Sequence, residues 1–410
     1  MQVEEMPYDV IIVGGGLAGN CLALALNGSG LQVAIIEANT REQLQNSAMG
    51  DRALALAAGT IATLETLGIW QGIQMKATAI TDVHVSDRGH FGKVRLSARK
   101  QNVAALGYVI TARDIETHVS ELVDKTKITQ VCPARLVGLM SDDNAVNVSI
   151  KHKDDSLCLS AKLLVGADGG NSSVRKLLDI AQQVTEYGQT ALVTTVKTSL
   201  PHRNIAYERF TESGPLAFLP VGKNQCSVVW TRSNEDADSL MSGSEEDFLG
   251  ALQQCFGYRL GQLSLTAPRR AFPVSLVRAD RMQSGRAVII GNAVHQLHPV
   301  AGQGFNLGLR DVVQLADMIL KQHGQGEDIG SATFLNEYVT AREQDHRQTI
   351  AFTDTLVKLF SNDWLVLAAA RNIGLAVLDH VPAAKALLSR HAMGLAQRLP
   401  RLGSRPEYDN

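Results

Sequence analysis

The chain is short of several things that would mark other kinds of protein. Its 410 residues carry 39 Lys and Arg against 41 Asp and Glu, a net charge of -2, so no basic excess points to nucleic acid. Five cysteines, Cys21, Cys132, Cys158, Cys226 and Cys255, never form a CxxC pair or a Cys/His cluster. Reduced cytosolic thiols are therefore expected, with no disulfide frame and no metal site. No Ser/His/Asp order, acid pair, internal repeat or low-complexity stretch stands out. The apolar run DVIIVGGGLAG follows Glu4, Glu5 and Asp9, lacks a basic flank, and is far shorter than the roughly 20 residues a membrane span needs. What remains is an ordinary soluble, enzyme-like composition, 45% hydrophobic and 20% charged. The length suggests two linked cores, because single cores stop growing at about 250 to 300 residues.

The first chemistry lies in YDVIIVGGGLAGNCLALALNGSGLQVAIIEAN. Val10 to Val13 make a continuous β-branched run, Gly14, Gly16 and Gly19 follow in GxGxxG spacing, Leu22 to Leu26 continue with helical spacing, and QVAIIE ends a second strand at Glu37. Strand, glycines, helix and terminal acid form one βαβ unit for a dinucleotide. The glycines allow the tight turn, the close approach of a pyrophosphate and the packing of helix on sheet, while Glu37 can accept ribose hydroxyls. This unit alone leaves open whether the dinucleotide is FAD or NAD(P).

Two later segments repeat the pattern of strand, turn and helix. KLLVGADGGNSSVRKLL passes through Asp168 and two glycines into a helix starting near Ser172 or Ser173, with Arg175 in its first turn; alone it reads equally as a capped helix after a turn. RAVIIGNAVHQLHPVAGQGFNLGLRD then breaks from a strand into glycines before a helical run. His295 and His298 within it read as turn or helix-start residues.

Taken together, these segments resemble the flavoprotein aromatic hydroxylases of the para-hydroxybenzoate hydroxylase type, and most of all the ubiquinone-biosynthesis hydroxylases. The likeness runs from GxGxxG through DRALALAAGTIATLETLGIW and GADGGNSSVRK to SRHAMGLAQRLPRL. Within that family the wording GN…LHPVAGQGFNLG is most similar to the 2-polyprenyl-6-methoxyphenol hydroxylases. The resemblance implies non-covalent FAD, with Gly14, Gly16 and Gly19 at the pyrophosphate and Glu37 at the adenosine ribose. It implies Arg52 and Arg113 near the pyrophosphate and ribityl chain, and Asp168 in a motif shared by FAD and reductant. Asn292 would meet the ribityl or pyrophosphate segment, and Gly302, Gln303 and Gly304 the isoalloxazine ring. Pro299 and Asn306 complete the implied cofactor set. Most of the family carries aspartate where this chain has Asn292, and a neutral amide can still donate to and accept from a ribityl hydroxyl.

The resemblance further implies hydroxylation of a polyprenylated phenol by way of a flavin C4a-hydroperoxide, with O2 as co-substrate and NAD(P)H as electron donor. Such chemistry belongs to the cofactor, which fits the lack of an evident catalytic group in the chain. Alternatives are an FAD-dependent reductase or oxidase acting on a lipid, and a flavin-binding assembly subunit without activity. The expected fold is α/β: a discontinuous Rossmann-like FAD domain from residues 1–76, 104–180 and 278–350, an inserted antiparallel sheet from 77–103 and 181–277 for substrate, and a helical region over 351–410. Within the insert, Phe218, Leu219, Pro220 and Trp230 are candidate walls of an apolar pocket. The tail, interrupted between Trp364 and Leu378 only by Arg371, reads as core or dimer packing, or as a helix facing a ubiquinone-biosynthesis partner or the inner face of the membrane.

Overall fold

The computed structural model describes residues 7–89, 92–153 and 155–360, arranged in three sheets with helices packed on them. In the first sheet Pro7–Val13 lies between Asp155–Gly166 and Val33–Ile36, parallel to both. Ala287–Ile289 continues the parallel set beyond Asp155–Gly166, and Thr129–Val131 continues it beyond Val33–Ile36. The central strands are buried on both faces, with Val146, Val148 and Ile150 of the antiparallel strand Val146–His152 in the same core, so they need apolar side chains at every position rather than at alternate ones. Val10, Ile11 and Ile12 are accordingly fully buried. Helices Leu17–Leu26 and Gln303–Gly324 pack against each other on this sheet, which brings the segments after the first and last of its long glycine turns together.

A second sheet is built mainly from Gln182–Thr198, Ile205–Thr211, Gly214–Val221, Gln225–Ser233 and Arg270–Ala279. Asp82–Asp87 and Lys93–Ser97 join its far edge. Every pairing in it is antiparallel except that of Ile205–Thr211 with Asp82–Asp87, which is parallel. Those two strands come from distant parts of the chain, so no hairpin dictates their direction. A small third sheet pairs Ala53–Ala57 and Thr78–Ile80 with Gly107–Thr111.

Alternation along the second sheet divides its residues between two faces. Leu192, Leu216, Phe218, Val228 and Trp230 form one core with Phe248, Leu252 and Phe256 of the helix Glu245–Phe256. The opposite face, carrying Val193, Ala206, Glu208, Ala217, Leu219 and Val229, looks across a cavity toward the first sheet. The helix Ala332–Phe360 runs through residue 350 without a break, because no glycine or proline interrupts it there. Its turns at Ala351, Phe352, Thr355 and Leu356 close one side of the cavity. The expected helices beyond residue 360, with the membrane or partner contact assigned to them, lie outside the described residues. Among the described residues no helix is long and apolar enough to cross a membrane.

Candidate active site

One cavity of about 1840 Å³ runs from the glycine turns of the first sheet to the inner face of the second. That exceeds the roughly 300 to 1,000 Å³ of a single-ligand pocket, so a large cofactor and a second molecule can share it. Its two halves differ in chemistry.

The polar half is made of backbone and helix starts. Gly14 has φ +107°, and a Cβ there would lie 2.5 Å from the carbonyl oxygen of Ala167. A Cβ on Gly19 would lie 1.9 Å from the carbonyl oxygen of Gly14, so this glycine lets the helix Leu17–Leu26 sit on the turn. Gly16 differs from both: a Cβ on it meets nothing within 4 Å and would project into open space. It caps the helix with no side-chain partner and no acid in the first turn, leaving N–H donors and the positive end of the helix dipole toward the cavity. Glu37, at the end of Val33–Ile36, accepts from Gly15 N at 2.7 Å through Oε2 and from Asn39 N at 2.7 Å through Oε1. The carboxylate is thus fixed on the cavity wall beside the glycines.

A second helix start faces the same space. Ala301 has φ +57° and Gly302 φ +60°, consecutive left-handed residues that turn the chain from Pro299 into Gln303–Gly324. For alanine that conformation costs about 1 kcal/mol, strain of the kind found at binding sites. A Cβ on Gly304 would meet nothing within 4 Å, so its backbone is open to a flat ligand. Asn306 holds the turn in place: Nδ2 donates to Gly302 O at 2.7 Å and Ala55 O at 3.0 Å, while Oδ1 accepts from Ala57 N at 3.0 Å and Thr60 Oγ1 at 2.6 Å. With its amide spent on protein partners, Asn306 positions the wall and has nothing left over for a ligand. Gln303 is buried, turned back to Ala301 O at 3.1 Å, and is not on the wall.

Asp168 lines the cavity and also caps the next helix, accepting from Ser173 N at 2.7 Å, Ser173 Oγ at 2.7 Å and Val174 N at 3.2 Å. Buried Arg175 then staples two motifs, donating to Gly170 O at 2.8 Å and Ala293 O at 2.9 Å. Asn292 sits exposed on the cavity wall, and among the described residues its amide has no partner. Arg52 also reaches the wall; burial lowers its pKa, with Glu116 opposing. Glu116 shares that wall, its pKa raised by burial against the pull of Arg52 and Arg113.

Arg113 does not reach the wall. Its guanidinium donates to Asp51 Oδ1 at 2.6 Å and Ser47 O at 3.1 Å, and Arg270 takes the other Asp51 oxygen at 2.7 Å. It fastens a turn beneath the cofactor half, a task its position in the sequence does not distinguish from ligand contact.

In the apolar half, three of the four expected pocket residues fall on the wrong face. Leu219 lines the cavity, but Phe218, Pro220 and Trp230 alternate to the far side. Phe218 stacks on Phe256 with ring centroids 3.9 Å apart, and Trp230 meets Phe248 edge-on at 5.8 Å. Large aromatics fill the closed core, while smaller residues such as Ala206, Ala217 and Val229 leave room on the open face. Two titratable groups missed as site residues stand on this half. Glu208 is one. His298 is the other: its Nδ1 accepts from Val300 N at 3.1 Å, and among the described residues its Nε2 has no partner. Burial lowers the His298 pKa to about 4, so the ring is neutral, with its proton on Nε2.

Behind the wall, His295, Asp311 and His346 bring three ligand-type atoms within 4.8 Å of one another. Both Asp311 oxygens are already taken, by Arg342 Nε at 2.8 Å and His346 Nε2 at 2.6 Å on one side and His295 Nε2 at 3.2 Å on the other. The guanidinium supplies the positive charge a cation would bring, so the cluster closes without a metal.

The polar half fits FAD on its own geometry: open space at Gly16 and Gly304, two helix starts aimed inward, and the Glu37 carboxylate on the wall. Residues 7–353 match the FAD binding domain family, and the chain belongs to it. It is an FAD-dependent monooxygenase. Among curated proteins it is 36% identical to the ubiquinone hydroxylase UbiL of Rhodospirillum rubrum, over 96% of this chain and 92% of that one. It is 29% identical to the 3-demethoxyubiquinol 3-hydroxylase of Escherichia coli, over 96% of this chain and the full length of that one. The p-nitrophenol 4-monooxygenase PnpA of Pseudomonas putida shares the fold, with TM-score 0.77 and 19% identity over 96% of this chain and 99% of that one.

Proposed function

We propose that this protein hydroxylates the ring of a polyprenylated phenol in ubiquinone biosynthesis, as a 2-polyprenyl-6-methoxyphenol hydroxylase would, using O2 and electrons from NAD(P)H. The observation that carries the reading is the single cavity joining a glycine-lined cofactor half to an apolar floor. Nearly full-length likeness to ubiquinone hydroxylases supports the pathway.

In this reading Gly14, Gly16 and Gly19 admit the FAD pyrophosphate, and Glu37 takes the ribose. Arg52, Asp168 and Asn292 line the path of the ribityl chain, and the turn Pro299–Gly304, held by Asn306, meets the ring. Bound FAD, once reduced, supplies the activation of oxygen. The protein's part is to place the phenol ring against the cofactor, exclude water with the aliphatic walls, and offer N–H donors where negative charge gathers. A prenyl chain suits an apolar floor of alanine, valine and leucine. A substrate drawn from the bilayer would call for peripheral contact with the inner face of the membrane, or with partner enzymes of the pathway.

The test is reconstitution. FAD-loaded protein with NAD(P)H and a prenylated phenol should form a product 16 mass units heavier, with oxygen uptake matching it. Reduction of the phenol or a related lipid without oxygen incorporation would favour a reductase. Flavin that NAD(P)H cannot reduce would favour an assembly subunit.

A further inference from the structure

The cavity-facing side of the second sheet is aliphatic around one residue. Glu208 lies mid-strand in Ile205–Thr211, with Ala206 and Phe210 two positions away on the same face. Across the ladders it faces Val85 on one side and Ala217 on the other, and beyond these stand Val94 and Val229. Among the described residues its carboxyl has no hydrogen bond and no ion pair. Protein encloses it except toward the cavity, where it stays partly open. A carboxyl in such a place serves no packing purpose and asks for a ligand donor.

We infer that Glu208 is a catalytic base that takes the hydroxyl proton of the phenol; the assignment rests on the function proposed above. As the ring reacts, the phenol O–H bond breaks, its proton passes to a Glu208 oxygen, and the electron pair of that bond flows into the ring, raising electron density at the position being hydroxylated. The proton transfer itself involves no oxidation change. When the hydroxylated ring regains aromaticity, its ring C–H proton leaves to solvent and Glu208 returns its proton to the substrate oxygen.

Burial raises the Glu208 pKa to about 7, which suits a base working near neutral pH. The groups around it do not compete for the proton. On the neighbouring strands of the cavity side only Asp87, two residues past Val85, is titratable. Tyr207 touches the cavity but turns its ring to His84 and Phe256; His84, Arg95 and Arg209 alternate to the other face, and His298, across the cavity, is neutral above about pH 4.

The experiment supplies 2-methoxy-6-prenylphenol and NAD(P)H to FAD-loaded protein and follows the hydroxylation rate from pH 5 to 9. A base that titrates near 7 leaves a phenol of pKa about 10 protonated at rest and takes its proton only as the ring reacts, so the wild-type rate should rise through a transition near pH 7 as Glu208 ionises. Glu208→Gln should keep its flavin, still bind the probe, lose roughly 10²- to 10⁴-fold in hydroxylation at pH 7 and lose the transition. Glu208→Asp should restore part of the rate, with its transition displaced. An unchanged rate and pH profile in a flavin-loaded Glu208→Gln overturns the assignment alone. Wild-type protein that hydroxylates no prenylated phenol overturns the proposed function and the assignment together.

Discussion

Asp311, in the long helix that starts at the glycine turn, accepts from Arg342 of the following helix at 2.8 Å, and both side chains are buried. Burial alone would raise the Asp311 pKa, but His346 and Arg342 hold it well below the ordinary carboxylate value of 3.8. The pair reaches the cofactor half through Gly291 N, 3.4 Å from Asp311 Oδ2. Removing one partner leaves the other charge without compensation.

Asp311→Leu should therefore destabilise the fold by about 3 to 5 kcal/mol, and Tm measured with and without FAD reads it. The depressed pKa means that Asp311 stabilises the protein above pH 3.8 and that this contribution is lost only as pH falls through its lower folded value. A chelator should leave Tm unchanged, since the cluster closes on Arg342; a drop would assign it a metal.

The glycines of the first turn should separate into two phenotypes. Gly16→Val projects into the cavity and should give a folded protein without flavin, its Tm close to that of the wild-type apoprotein. Gly19→Val drives a side chain into the Gly14 carbonyl and should lower Tm sharply or prevent folding. The 450 nm absorbance of each purified variant checks this. A fully loaded Gly16→Val would remove that residue from the pyrophosphate site.

Much of the cofactor half was legible because its requirements are local. A strand buried on both faces, a glycine turn and an acid at the next strand's end are close in sequence, and each leaves a spacing. The same holds for Asp168, which serves as both helix cap and wall. The substrate half was less legible, because whether a residue faces cavity or core depends on strand register. One step along the chain separates Leu219 from Phe218. A signal was nevertheless present in IAYERFT, where an acid takes the place between Ala206 and Phe210 in an otherwise apolar alternate row. The structural task of Arg113 was hidden for a different reason: its partner Asp51 is 62 residues away, and only the fold brings them together.

The two faces of the second sheet should respond differently to substitution. Trp230→Ala empties the closed core and should cost about 3 to 5 kcal/mol of stability, with little change in KM for a phenol. Val229→Phe, one residue away, adds bulk to the open face and should raise KM or abolish turnover while Tm stays within a few degrees. Steady-state kinetics beside thermal melts would show the crossover. The opposite pattern would place the substrate on the aromatic side.

Glu208 also makes a stability prediction that needs no substrate. Its pKa is raised from 4.5 to about 7 in the folded state, so between those values the native protein binds more protons than the unfolded chain. Stability must then fall as pH rises through that window, by at most about 3 kcal/mol at 1.36 kcal/mol per unit. Glu208→Gln removes the ionisable group while keeping its shape. The variant should melt close to wild type at pH 5 and above it at pH 8, with the gap opening between pH 5 and 7. Parallel melting curves for the two proteins across that range would mean that the carboxyl ionises as freely in the fold as in water, and that water fills the cavity around it.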